Sequence, residues 1–166
     1  MYALDIIINE EYDCFPGYEE EEDTPREDLE AGREYLIGLY QQADKSVDER
    51  RLALEALSFL DDSTIEKYIE EAYHSDELLF KVSAIFAMGR NGDLRWNEYV
   101  LKEIENTDNT ILLQAIRAVG ELGLVEAKKK LLALTYSTLK DLVIESLWAL
   151  GKNGFPGAYE RLDELS

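Results

Sequence analysis

From about residue 46 onward, apolar residues recur at helical rather than strand spacing. Between Thr110 and Gly120, the residues Leu112, Ala115, Ile116 and Val119 stand at positions 0, 3, 4 and 7, which is one face of a helix. Gly123 follows as a helix stop, and Gly92 and Gly154 hold the same place in their own segments. A second helix is predicted from Val125 to Tyr136, with Ala127, Leu131 and Leu134 on one side, and a polar link, Ser137-Thr138, leads onward. The matching link one unit earlier, Thr107-Asp108-Asn109, is rich in helix-capping residue types. Upstream, a helix is predicted over about 28–43.

These helix pairs repeat. A step of 31 residues carries Ala56 to Ala87, Ala118 and Ala149; Leu57 to Met88, Val119 and Leu150; and Ser58 to Gly89, Gly120 and Gly151. The same step carries Leu54 to Ile85, Ile116 and Leu147; Ala53 to Ala84, Ala115 and Ser146; and Ile69 to Val100, Leu131 and Leu162, with no insertion anywhere. Small residues in the Ala118 and Gly120 columns allow neighbouring helices to approach closely. A lone helical hairpin of this size cannot bury its apolar face, whereas stacked neighbours can. The fold predicted is all-α, an α-solenoid of about four 31-residue hairpins over residues 28–166, preceded by an acidic N-terminal arm or cap over 1–27. The helix at 28–43 supplies half a unit, because Leu36, Leu39, Tyr40 and Ala43 match Ile65, Tyr68, Ile69 and Ala72 at an offset of 29. The segment 156–165 closes the stack, with Glu160, Arg161, Asp163 and Glu164 as a polar outer cap. Near the start, Tyr2, Leu4, Ile6 and Ile8 alternate with Ala3, Asp5 and Ile7, which fits either a strand across the first helices or an arm that adds to a partner's sheet. Phe15-Pro16-Gly17 reads as a turn.

The stretch from Leu113 to Gly123 resembles a HEAT repeat, and more narrowly the short HEAT-like repeats of the phycobilisome-lyase type. Ala87-Met88-Gly89-Arg90-Asn91-Gly92 and Ala149-Leu150-Gly151-Lys152-Asn153-Gly154 repeat the signature, so the resemblance covers roughly 46–166. It implies a right-handed α-α superhelix and a protein-binding role, and it leaves the partner open because one scaffold hosts many tasks. The deoxyhypusine-hydroxylase branch of such proteins holds two irons with His-Glu pairs. This chain has one histidine, His74, and it is followed by Ser75. The DNA-glycosylase branch uses a basic groove, which the charge here opposes. A bilin-lyase role, acting on a cofactor-bearing protein, meets neither a motif for it nor one against it. Other HEAT-like proteins are scaffolds, or immunity proteins that neutralise toxins.

Charge narrows the choice of partner. The chain carries 36 acidic and 17 basic residues, a net charge of −19. Residues 1–46 alone carry 14 acids and 3 bases, with the densest run at Glu19, Glu20, Glu21, Glu22 and Asp23. Such a surface repels nucleic-acid phosphates and anionic lipid and attracts cationic proteins. Neither nucleic acid nor membrane is therefore expected as a partner, and a basic protein is one candidate. The acidic run is read as a solvated segment or as an electrostatic contact for such a protein. It lacks the ligand spacing and the glycine of an EF-hand loop. No apolar run is long enough to span a bilayer. Met1 to Ile8 lacks the basic n-region and small-residue cleavage site of a signal peptide. Cys14 is the sole cysteine, which fits a reducing cytoplasm. No phosphate loop, nucleophile elbow or Cys-x-x-Cys pair is present, and His74 and Cys14 have no companions for catalysis or metal binding. No enzyme activity, cofactor or metal is expected.

Candidate binding residues come from helix geometry. With Ala53, Leu54 and Leu57 inward, position 55 and its neighbours 48, 52 and 59 point outward. In the proteins this chain resembles, that helix of each pair lines the concave surface. The column through 55 reads Glu55, Phe86, Arg117, Trp148; that through 59 reads Phe59, Arg90, Glu121, Lys152; that through 48 reads Asp48, Leu79, Thr110, Asp141. These columns vary while the core columns hold. Phe59, Phe86, Arg90, Arg117, Trp148 and Lys152 are the predicted partner-binding residues, since aromatic residues and arginine are favoured interface anchors. A helix phase shifted by one position would instead place Phe86 and Trp148 in the core. The expected function is a non-catalytic protein-interaction module, with an acidic inhibitor of a basic toxin or nuclease, and a lyase or chaperone, as alternatives.

Overall fold

The computed structural model describes residues 26–155 and 157–165. The early alternating segment, Cys14, the turn at Phe15-Pro16-Gly17 and the acidic run from Glu19 to Asp23 lie outside the described residues. Among the described residues the chain is all-helical, with no strand. The helices are α1 (Arg26–Gln41), α2 (Val47–Leu57), α3 (Ser63–Tyr73), α4 (Leu78–Asn91), α5 (Asn97–Glu103), α6 (Asn109–Leu122), α7 (Lys128–Leu134), α8 (Lys140–Lys152) and α9 (Ala158–Leu165).

Local chemistry sets the helix ends. Asp108 caps α6 by accepting from the backbone N–H groups of Thr110 and Ile111, at 2.8 and 3.3 Å. Asp62 caps α3 through the Thr64 N–H at 2.7 Å, and Ser46 with Glu49 forms a capping box at the start of α2. Gly92 and Gly123 end α4 and α6 in the left-handed region, at φ 75° and 68°, where a Cβ would be strained. The third stop differs slightly: α8 ends at Lys152, Asn153 is its cap, and Gly154 turns the chain one residue later. Replacing Asp108 by alanine removes two capping bonds and is expected to cost about 1 kcal/mol, read as a shift in the urea midpoint of the circular-dichroism transition.

The even-numbered helices pack in succession, α2 on α4, α4 on α6 and α6 on α8, while α3, α5 and α7 each pack on the even helix that follows. The odd helices are tied to one another by side chains about one repeat apart. The Tyr40 hydroxyl donates to the Tyr68 carbonyl at 3.1 Å, and Arg33 pairs with Asp62. The Tyr99 hydroxyl donates to Glu70 at 2.9 Å, and Arg161 donates to the Thr135 carbonyl at 3.3 Å. The 31-residue step along the sequence is thus a step from one helix pair to the next in space, and α1 occupies the half-unit position expected for it.

The core follows the predicted columns. Leu54, Ile85 and Ile116 are fully buried, as are Ile69, Val100 and Leu131, and Leu112, Ala115, Ile116 and Val119 all lie inside. Two features depart from expectation. The second helix of the third unit is shorter than 125–136: a 3-10 turn over Val125–Ala127 precedes α7, which stops at Leu134. The same turn, Leu94–Trp96, precedes α5, and short 3-10 turns are frequent at helix N-termini. Arg161 is not part of a polar outer cap. It is half-buried, its guanidinium stands 4.0 Å from the centre of the Tyr136 ring, and it ties α9 to the end of α7.

At the junction of α3, α4 and α5 sits a buried carboxylate. Glu103 is 2% exposed and accepts from the Tyr73 hydroxyl (2.5 Å), the Lys81 ammonium (2.9 Å) and the Asn106 amide (2.6 Å). Burial alone would raise its pKa, but these three donors outweigh burial and hold it below the ordinary glutamate value. Burial and the facing carboxylate push the Tyr73 hydroxyl well above the usual tyrosine range.

Candidate partner-binding groove

The even helices carry the site because their second faces are not covered by the odd ones. Where α2, α4 and α6 run side by side, a groove of about 370 Å³ opens. Glu55, Phe86, Arg90, Gln114, Arg117 and Glu121 line it, with Ala118 between them. Positions 55 and 59 stand four residues apart, on one helix in α4, α6 and α8, while Phe59 lies in the turn just after α2; the two columns merge into a single surface.

All six predicted binding residues share this face. Phe86, Arg90 and Arg117 line the groove itself, and Phe59, Trp148 and Lys152 flank it. Phe59 is 39% exposed and Trp148 37% exposed, and Phe86 is half-buried, so the helix phase is the outward one and none of the three rings belongs to the core. Cations and rings alternate across helices. The Arg90 guanidinium lies 4.3 Å from the centre of the Phe59 ring; Arg117 and Lys152 lie 5.8 and 5.1 Å from that of Trp148. Sequence reasoning did not single out Glu55, Gln114, Ala118 or Glu121. Glu55 and Glu121 stood in the outward columns, and Gln114 holds position 52 of its unit, so the register already contained them. At that same position, Ser83 is buried rather than outward, because its hydroxyl donates to Glu55 across the α2–α4 contact.

The electrostatics of the groove differ from those of the chain. Glu121 is paired with Lys152, and Glu55 with Arg51, whose guanidinium is 3.3 Å away. Arg90 and Arg117 form no hydrogen bond or ion pair with any described residue. By contrast Arg33, Arg51, Arg95 and Arg161 are each paired with a carboxylate, and Arg50 donates to the Tyr40 carbonyl at 2.8 Å. The two unpaired guanidiniums face the same opening.

Trp148 is held in place by a missing side chain. Its ring lies over Gly120, where an added Cβ would come within 2.5 Å of the indole Cζ3. Removing a ring that is one-third exposed costs less than emptying a core site. Trp148→Ala is expected to lower stability by about 1–2 kcal/mol, against about 3–5 kcal/mol for a fully buried aromatic, as read by chemical denaturation.

Elsewhere, His74 is the C-terminal cap residue of α3, and its ring meets those of Tyr73 and Tyr99 edge-on, at 5.1 and 6.4 Å between centres. Among the described residues, no three His, Cys, Asp or Glu side chains are grouped so as to hold a metal ion, and no helix is long and apolar enough to cross a membrane. No protein-family description matches this chain, and no curated protein matches it in sequence.

Proposed function

We propose that this chain is a non-catalytic, cytoplasmic protein-interaction module of the HEAT-like repeat type. Its helical hairpins stack as a right-handed superhelix, and a partner protein lies along the concave face formed by the even helices. One observation carries the reading. Six residues of the outward columns, aromatic or basic, share one face along α4, α6, α8 and the turn after α2, while the core column through Leu54, Ile85 and Ile116 stays apolar and buried. A scaffold that holds its buried positions while its outward positions alternate between rings and cations is built to present a surface. The acidic-inhibitor reading rests on the net charge alone, whereas the groove is lined by two arginines as well as two glutamates.

The test is site-specific photo-crosslinking in the native host. A benzoyl-phenylalanine placed at Phe86 is expected to form an adduct with one protein, while the same group at Glu98, an exposed position on α5, forms none. Adducts of equal yield from both positions, or from neither, would overturn the proposal.

A further inference from the structure

The partner's chemistry can be taken further, on the premise that the groove is the binding face. We infer that the groove receives an acidic peptide segment, whose carboxylates pair with Arg90 and Arg117 and whose apolar side chain packs against Phe86 and Trp148. The acidic chain as a whole would favour a basic partner, but the groove is where a partner meets it.

Charge complementarity carries the argument. Among the described residues Arg50 also lacks a carboxylate but donates to the Tyr40 carbonyl, whereas Arg90 and Arg117, with no ion pair to a described residue, face one opening. The nearest acids are already engaged, Glu121 by Lys152 and Glu55 by Arg51 and Ser83. Neither carboxylate lies within ion-pair distance of Arg90 or Arg117. Glu145, half-buried on α8, stands at the position that Gln114 holds on α6 and has no ion pair with a described residue, which bounds the basic stretch on that side. Arg90 lies 4.3 Å from the centre of the Phe59 ring and Arg117 5.8 Å from that of Trp148, and such cation–π contacts leave the N–H donors free. Guanidinium forks of this kind bind a carboxylate with two parallel hydrogen bonds.

Size and local charge restrict the ligand further. A groove of about 370 Å³ takes a few side chains of an extended segment rather than a folded surface. Glu55 and Glu121 border the arginines, and a dianionic phosphate is penalised beside carboxylates more than a monoanionic carboxylate is. The geometry therefore points to aspartate or glutamate rather than a phosphorylated residue.

The test uses the full chain as bait for a random peptide library displayed on phage, followed by fluorescence anisotropy with the best selected peptide. Selected peptides are expected to be rich in aspartate and glutamate around one aromatic or aliphatic residue. Arg90→Gln and Arg117→Gln are each expected to weaken binding about tenfold or more and to lower the melting temperature only slightly, because each exposed guanidinium contacts the fold through one half-exposed ring and no ion pair with a described residue. Added salt should weaken the complex. Selection of lysine- and arginine-rich or uncharged peptides would overturn the inference. So would acidic peptides indifferent to both arginine variants, or a phosphoserine analogue that binds much more tightly than the carboxylate peptide. Tighter binding after Glu19, Glu20, Glu21, Glu22 and Asp23 are changed to amides would overturn it too, by showing the chain's own acidic run to be the occupant. Uncharged peptides that still depend on Phe86 and Trp148 would leave the interaction-module reading standing; binding indifferent to every groove residue would remove both.

Discussion

Glu103→Ala is expected to lower the unfolding free energy by about 3 kcal/mol, which for a chain of this size is a fall of roughly 6–12 °C in Tm. The reason is that one carboxylate satisfies three buried or half-buried donors, from Tyr73, Lys81 and Asn106. Deleting it leaves the Tyr73 hydroxyl, on a residue only 4% exposed, without its acceptor. Lys81 is 24% exposed and can turn to water, which keeps the loss at the lower end for a broken buried pair. The same site predicts a pH dependence. Its donors hold the Glu103 carboxyl below the ordinary glutamate value, so it takes up its proton more readily in the unfolded chain than in the folded one. Its contribution is complete above the unfolded pKa of about 4.3 and is lost as pH falls through the lower folded value. The stability gap between the wild type and Glu103→Gln should therefore narrow from about pH 6 to about pH 3. Urea midpoints of both proteins across that range check this, and a gap that stays constant would show that the carboxylate's charge contributes nothing.

Gly89→Val and Gly151→Ala are expected to move stability in opposite directions, although the two glycines occupy the same column of the repeat. A Cβ on Gly89 would lie 2.9 Å from the Cα and 3.1 Å from the Cβ of Ala118 on the adjacent helix. The obstacle is backbone, which cannot swing aside, so the branched valine should force α4 from α6 at a cost of about 3 kcal/mol. A Cβ on Gly151 meets nothing within 4 Å, because among the described residues no further even helix packs beyond α8. Alanine there should add up to about 1 kcal/mol through helix propensity alone. Melting temperatures of the two variants suffice as the measurement. A tolerated Gly89→Val would mean that α4 and α6 do not approach as closely as this contact requires.

The repeat, the helix pairs and the core columns were legible in the sequence because they are periodic, and burial enforces periodicity. Leu54, Ile85 and Ile116 recur every 31 residues since each must fill the same gap between one hairpin and the next. The helix stops were legible as well: Gly92 and Gly123 take a backbone conformation that L side chains rarely adopt. The outward columns could be picked from helix phase, and their residues do share one face.

What the sequence could not decide were matters of contact between residues about one repeat apart. Arg161 sits among acids near the chain end and reads as surface, yet it ties α9 to α7, because the Thr135 carbonyl and the Tyr136 ring happen to stand within its reach. Glu103 reads as one more solvated acid in a chain of 36, and only the packing of α3, α4 and α5 shows it buried and shared by three donors. The charge of the groove was hidden in the same way. A count of residues registers −19; the Arg51–Glu55 pair stands at an i, i+4 spacing visible in the sequence, but that Glu121 is taken by Lys152 depends on the neighbouring helix. With Glu121 paired to Lys152 and Glu55 to Arg51, Arg90 and Arg117 have ring contacts but no carboxylate partner among the described residues. Periodic burial is a one-dimensional constraint that a sequence records directly. The pairing of charges is a three-dimensional one, and only the tertiary structure decides it.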